Sequence, residues 1–269
     1  MPELAEVETV RSVLKKKILN KKIKEIKILY PNIVETDLVE FKSSLIGSKF
    51  VDIQRRGKYL IFETPDNFLI SHLRMEGKYF IKNTEEEIAK HEHIIFSFED
   101  FDLRYHDTRK FGRMALIDKN AIDDYFKNLG PDANNNINYK YLYDKLHCKK
   151  LPIKSLLLDQ SIIAGLGNIY VDEVLYRAKL NPFEAGNNIT LQDAKNILNA
   201  SKEVLDKAIL YKGTTIRSYT SSLNVEGQYQ KYLKVHTKVG EKCECGSIIL
   251  RDRVGGRSTY FCPNCQRLK

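Results

Sequence analysis

The sequence predicts an α+β protein. An N-terminal β-sandwich carries one packed helix, a helical region follows, and a zinc-stapled β-hairpin closes the chain. Three observations predict this. Residues 23–118 run in short stretches of alternating apolar and polar residues. From residue 139 the apolar spacing changes to three and four. Four of the five cysteines cluster between Cys243 and Cys265.

Residues 3–19 read as a helix, because Leu4, Val7, Val10 or Arg11, Leu14 and Ile18 fall on one face. Pro2 and the acids Glu3, Glu6 and Glu8 suit its positive N-terminal end. Strand pairs then follow at Ile26/Ile28, Val51/Ile53, Leu60/Phe62 and Ile94/Phe96/Phe98, with Leu116 closing the set. Turns such as Arg56-Gly57-Lys58 and Pro65-Asp66-Asn67 separate them, so about eight strands forming a sandwich are expected. The stretch Leu129-Gly130-Pro131-Asp132-Ala133-Asn134-Asn135-Asn136 reads as a linker. Helices are predicted over 139–147, 152–159, 168–177 and 190–211, with a tight turn at Ala164-Gly165-Leu166-Gly167-Asn168. The expected domains are 1–130, 137–220 and 235–269.

With 269 residues and 42% hydrophobic content, the chain can bury one large or two modest cores. No run of about 18 apolar residues exists, which excludes a helical membrane span. The start MPELAEVETV lacks a signal-peptide pattern, so a cytoplasmic protein is expected. Net charge is +9, and residues 201–269 hold 13 Lys and Arg against 6 Asp and Glu. Such local excess favours a polyanionic partner, most often nucleic acid.

Cys243, Cys245, Cys262 and Cys265 form C-x-C and C-x₂-C pairs around Ile248-Ile249-Leu250, Val254-Gly255-Gly256-Arg257 and Thr259-Tyr260-Phe261. This reads as strand, turn, strand. A hairpin so short needs a staple, and four thiolates suit one structural Zn²⁺. The first pair has one intervening residue where zinc knuckles have two, which strains the usual turn. Cys148 reads as a small core residue. His72, His93 and His106 read as strand-packing or hydrogen-bonding residues.

The N-terminus carries the most distinctive chemistry. Trimming of Met1 exposes Pro2 as a secondary amine. An α-amino group has an ordinary pKa of about 8 against about 10.4 for Lys, so it is substantially free base near neutrality. A neighbouring helix start lowers it further. Attack of such an amine on an aldehydic carbon gives an iminium, an electron sink for elimination. Glu3 and Glu6 are near enough in sequence to pass protons. By themselves these acids are better explained as partners of the helix dipole, and most N-terminal prolines carry no chemistry.

Longer motifs sharpen the choice. Pro2-Glu3-Leu4-Ala5-Glu6-Val7-Glu8-Thr9, Gln54-Arg55-Arg56-Gly57-Lys58-Tyr59-Leu60, His72-Leu73-Arg74-Met75-Glu76-Gly77, Lys90-His91-Glu92-His93 and Asp107-Thr108-Arg109-Lys110-Phe111-Gly112 occur in order. Gly165-Leu166-Gly167-Asn168-Ile169-Tyr170, Gly213-Thr214-Thr215 and Arg257-Ser258-Thr259-Tyr260-Phe261-Cys262 follow. Together they span essentially the whole chain, and the set resembles the formamidopyrimidine-DNA glycosylases, bacterial repair enzymes for oxidised purines.

The resemblance implies a monomeric, bifunctional glycosylase and lyase of the bacterial cytoplasm, associated with the nucleoid and acting on damaged double-stranded DNA. It implies a helix–two-turns–helix element in the helical domain and a zinc finger at the end. Pro2 would be the nucleophile and Glu3 the acid at the sugar ring oxygen, with proton-transfer roles for Lys58 and Arg257. Met75, Arg109 and Phe111 would fill the space of the flipped base. His91, Lys149 or Lys150, Asn168 and Arg257 would meet phosphates. Glu76 and Arg217 would lie where the family contacts the lesion, and Glu6 would belong to the DNA-binding set. Ala5 departs from the family's usual proline. Two alternatives stay open: an endonuclease VIII-like enzyme for oxidised pyrimidines, and a non-catalytic DNA-binding protein of the same fold. Met75 and the context of Leu4 favour the purine enzyme.

Overall fold

The computed structural model describes residues 1–214 and 226–268. The chain forms two compact units, Met1–Lys127 with Lys212–Gln228, and Asn128–Tyr211 with Tyr229–Lys269.

In the first unit, helix α1 (Leu4–Ile18) precedes β1 (Glu25–Ile28), α2 (Leu38–Leu45) and strands β2 (Asp52–Arg56), β3 (Tyr59–Glu63), β4 (Asn67–His72), β5 (Lys78–Lys82), β6 (Glu92–Ser97), β7 (Asp102–His106) and β8 (Arg113–Asp118), and a single turn, α3 (Ile122–Tyr125), follows them. The eight strands make two antiparallel sheets, ordered β1-β6-β7-β5 and β2-β3-β4-β8. Cross-strand pairing places Ile53 opposite Phe62 and Phe62 opposite Leu69, so one face of the second sheet is continuously apolar. That face joins Tyr79, Ile94, Phe96, Leu103 and Tyr105 of the first sheet, and Val7, Val10, Leu14 and Ile18 of α1, in one core. The periodicity seen in the sequence is thus the buried stripe of α1.

Helix α2 was not among the expected elements. It starts at Asp37, whose side chain accepts hydrogen bonds from the Val39 and Glu40 amides at 2.9 and 3.1 Å. Phe41 and Leu45, one turn apart, are its fully buried residues. Eight residues give too short a stripe for spacing to reveal, and the cap was its readable signal.

In the second unit come α4 (Tyr139–His147), α5 (Ile153–Leu157), α6 (Asn168–Arg177), α7 (Leu191–Leu210) and the hairpin β9 (Leu250–Val254) and β10 (Arg257–Phe261). Helix α7 packs on α4 and α6, and α6 also carries β10. The expected linker is not loose. Gly130 donates to the Gln160 carbonyl, Ala133 to the Ala164 carbonyl, and Ala164 to that of Pro131, at 2.8 to 2.9 Å, with Ala133 fully buried. Its turn-forming composition describes an irregular path, and hydrogen bonding to 160–164 pins that path down. Cys148 also departs from expectation, because it caps the C-terminal end of α4 and is exposed rather than core.

One ion-pair cluster ties α1 to the second sheet. Glu8 accepts from Arg11 and, at 3.0 Å, from the Arg55 Nε of β2. The Arg55 guanidinium also donates to the Gly57 carbonyl in the β2–β3 turn at 3.0 Å. Burial pushes the Glu8 carboxyl up, but the guanidinium groups of Arg11 and Arg55 outweigh it and hold it below its ordinary value of 4.5. The folded group therefore stabilises the protein above pH 4.5, and that contribution is lost as pH falls through the lower folded value. Replacing Glu8 with Gln is expected to cost roughly 1 kcal/mol at neutral pH, after allowance for solvent screening, and to cost nothing in strong acid. Denaturant unfolding of both proteins across pH 3 to 7 checks this.

Candidate active site and zinc finger

In the first unit the site is built on the start of α1. Glu3 is the N-cap, and Glu6 at the third helical position returns its carboxylate to the Glu3 amide at 2.9 Å, completing a capping box. The other Glu6 oxygen accepts from the Thr214 amide at 2.7 Å and its hydroxyl at 3.1 Å. Pro2, Glu3 and Glu6 are all buried. Glu6 thus fastens residue 214 to the turn that carries Pro2. Lys58, also buried, follows Gly57 in the β2–β3 turn whose carbonyl Arg55 holds. Buried charged groups are tolerated where hydrogen bonds or partners offset their lost hydration, as the Glu3 and Thr214 amides do for Glu6.

Two loops of the same unit present exposed side chains. Met75, between β4 and β5, is 37% exposed, and Phe111, between β7 and β8, is 47% exposed. The Arg109 guanidinium lies 4.8 Å from the centre of the Phe111 ring. Before the first loop stands His72, whose Nδ1 accepts the Arg74 amide at 3.0 Å. Burial first, then the charges of Arg74 and Lys58, drive its pKa down to about 3, so the ring stays a neutral acceptor. His93 bonds the Asp107 carbonyl at 2.8 Å and His106 packs edge-on against Phe80. All three histidines therefore do the packing and bonding work that their strand positions suggested. His91 stands immediately before β6 with φ of 71°.

In the second unit, Asn168 begins α6, and its amide donates to the Ser258 carbonyl at 2.9 Å. The same carbonyl accepts from Lys154 Nζ at 2.9 Å. Lys154 is completely buried and pairs with Asp172 at 2.7 Å, and Asp172 in turn contacts His236 Nδ1 at 2.8 Å. Beside them Glu173 accepts the backbone amides of Lys234, Val235 and His236 at 2.8 to 3.0 Å. Arg257 is exposed beside the hairpin tip, directly after Gly255 and Gly256. Both glycines have positive φ, 55° and 76°, the geometry a two-residue hairpin turn demands. The four cysteine sulfurs converge within 4.8 Å of one another, with Cys243 to Cys265 at 3.8 Å and Cys245 to Cys262 at 3.5 Å.

Comparison with known proteins matches these parts in order. The formamidopyrimidine-DNA glycosylase N-terminal domain matches residues 1–114, the H2TH domain of the same glycosylases matches 129–220, and a zinc finger found in FPG and IleRS matches 240–268. The chain belongs to the formamidopyrimidine-DNA glycosylase family. It is 46% identical to the formamidopyrimidine-DNA glycosylase of Streptococcus pneumoniae over 99% of both chains. It is 43% identical to that of Enterococcus faecalis, over all of this chain and 98% of the other. A Lactococcus lactis FPG mutant solved in complex with Fapy-dG containing DNA superposes with a TM-score of 0.95 at 44% identity, covering 99% of this chain and all of the other. The Lactococcus lactis Fpg complexed with DNA containing an abasic site gives 0.94 at 43% identity, over 98% and 99% of the two chains.

The family's finger settles the cysteines. Tetrahedral Zn–S bonds of about 2.3 Å put the sulfurs about 3.8 Å apart, so the observed spacings suit one structural Zn²⁺. The shortened Cys243-Glu244-Cys245 spacer does not prevent convergence. The Cys243 amide bonds the Ser247 carbonyl and the Gly246 amide the Cys243 carbonyl, both at 2.8 Å, so the turn closes around the missing residue.

Lys149 is half-buried and Lys150 exposed just beyond α4. The lysine built into the second unit's buried network is instead Lys154, which the sequence did not single out. Following Pro152-Ile153, it looks like any polar residue of a short helix, and its partners Asp172 and Ser258 are far away in sequence. Arg217 lies outside the described residues.

Elemental analysis is expected to find one zinc per chain, and Cys262→Ser should lose it together with the hairpin's thermal protection. Lys154→Met, which takes the buried cation from the Asp172 carboxylate and leaves it His236, is expected to cost about 3–5 kcal/mol in chemical denaturation. Adding Asp172→Leu should recover part of that loss, whereas equal or greater loss would show that the pair's charge is not the issue.

Proposed function

We propose that the chain is a bifunctional DNA glycosylase and lyase that removes oxidised purines, 8-oxoguanine and formamidopyrimidines, from duplex DNA. One observation carries the reading: a buried Pro2-Glu3 pair stands at the start of a capped helix whose cap also holds residue 214. The N-terminal sandwich (1–130) acts as the catalytic domain. The helix–two-turns–helix domain (137–220) and the finger (235–269) grip DNA. The protein works as a monomer in the bacterial cytoplasm at the nucleoid.

Once Met1 is removed, the Pro2 nitrogen attacks C1′ of the damaged nucleotide with its lone pair. The glycosidic bond breaks, the base leaves with that bond's electron pair, and it takes up the proton that the Pro2 nitrogen gives up. Glu3 delivers a proton to the sugar ring oxygen, the ring opens, and a C1′=N⁺ iminium remains. The iminium acidifies the C2′ proton, so β-elimination breaks the C3′–O bond and δ-elimination then breaks the C5′–O bond. Lys58 and Arg257 move protons in these steps. Pro2 and Glu3 titrate as a coupled pair, the carboxylate holding the amine's proton before attack.

A base can be reached only outside the stack, so the vacated space must be filled. Phe111 is the apolar wedge, Met75 the deformable plug, and Arg109 faces the orphaned partner base. Their exposure supports this, since core residues would be covered. His91, Lys149 or Lys150, Asn168 and Arg257 bind phosphates, and the backbone at Gly165 and Gly167 approaches one closely. Glu6, Glu76 and Arg217 serve the lesion side, Glu6 through its hold on Thr214.

Glu3→Gln is expected to slow release of 8-oxoguanine opposite cytosine at least about 100-fold, while duplex affinity stays within a few fold. Product gels should show phosphate at both ends of the gap for the wild type. Parallel loss of affinity would make Glu3 structural. Faster excision of thymine glycol than of 8-oxoguanine would favour the pyrimidine enzyme, and tight binding with no excision of either would favour the non-catalytic protein.

A further inference from the structure

The two loops that carry Met75 and Arg109/Phe111 are separate in sequence but share one buried support. Tyr105, at the end of β7, is fully buried and its hydroxyl reaches between the backbones of Gly77 and Gly112. A Cβ on either glycine would collide with that hydroxyl, so both loops close on the same atom. Asp107, also fully buried, extends the support. One of its carboxylate oxygens accepts the Arg109 amide at 3.0 Å, and the other accepts the Gly112 amide at 2.8 Å and lies 3.5 Å from the Tyr105 hydroxyl. Above this pin, the Thr108 hydroxyl donates to the Glu76 carboxylate, a second bond from loop to loop.

The backbone shows why support is needed. Arg74 in the first loop has φ of 53° and Lys110 in the second 58°, both left-handed without being glycine. Such conformations persist only where surrounding bonds hold them. The Asp107 main chain reaches a third segment too, its amide bonding the His91 carbonyl at 3.0 Å, and His91 has φ of 71°.

We propose that Tyr105 and Asp107 are positioning residues that hold the Met75 loop and the Arg109/Phe111 loop in one register, so that their side chains enter the DNA as a single unit. This rests on the reading that Met75 and Phe111 fill the space of the flipped base. Neither Tyr105 nor Asp107 touches the reacting atoms. Both act through the loops, and the Thr108–Glu76 bond completes the coupling.

The test is a double-mutant cycle in the full-length protein on duplex DNA with 8-oxoguanine opposite cytosine. Met75→Ala, Phe111→Ala and the double variant are compared by single-turnover excision rate, first in the wild-type background, then with Tyr105→Phe, then with Thr108→Val. If the loops insert as one unit, the first deletion forfeits most of what the second would. The wild-type cycle should then be non-additive by about fivefold or more, and both supporting variants should bring it to within about twofold of additive. A merely structural role would lower all rates and leave the coupling unchanged. Thr108→Val alters an exposed position, so it keeps the test valid should Tyr105→Phe fold poorly. Additive effects in the wild type, or coupling that survives both substitutions, would overturn the proposal while leaving the filling role intact. Unchanged excision in both alanine variants would instead refute the filling role, and this proposal with it.

Discussion

Helix α1 has to begin at one residue and no other, and the Glu3–Glu6 capping box makes it do so. A helix start leaves amides without internal partners, and here those amides lie in a buried setting where water cannot serve them. Glu6 meets the Glu3 amide with one oxygen and Thr214 with the other, so local helix chemistry and a contact more than 200 residues away in sequence are settled by one side chain. Starting the helix one residue later would move Pro2 off its buried perch. The proline's fixed backbone angle and the apolar stripe of Val7, Val10, Leu14 and Ile18 then set where its nitrogen lies relative to the sandwich.

Charge is used in the two units for different ends. In the first, Glu8 spans Arg11 and Arg55, and Arg55 passes the constraint to the turn that bears Lys58. In the second, Lys154, Asp172 and His236 form a buried chain whose far end, together with Asn168, holds the carbonyl next to Arg257. Charges this deep are seldom a net gain over apolar packing, but they allow few alternative arrangements. The hairpin is therefore held from two sides, by metal at its open end and by hydrogen bonds near its tip.

Much of this was legible in the residues. The 3–4 spacing of α1, the alternating strands and the four long-range cysteines each state a local requirement, and each is met where expected. Contacts set by partners remote in sequence were not legible. Lys154 looks exposed until Asp172 and Ser258 are placed around it, and Asn168 spends part of its amide on the hairpin. Helix α2 was short enough to escape periodicity, and the linker looked free until its amides found residues 160–164. Met75 and Phe111 are apolar residues of a kind that usually sits in a core, and nothing in their composition announces that their loops leave them exposed. The tight Cys243–Cys245 spacing looked like an obstacle because the turn that absorbs it depends on backbone bonds to residues 246–247 that composition does not announce.

In the proposed mechanism the atom that joins the DNA is the Pro2 nitrogen. Borohydride reduction of the protein during turnover on 8-oxoguanine DNA, followed by nuclease and protease digestion, locates the bond by peptide mass. The reduced sugar remnant is expected on a peptide that begins at Pro2, with Met1 gone. A remnant on Lys58 or any other lysine, with the N-terminal peptide unmodified, would contradict it.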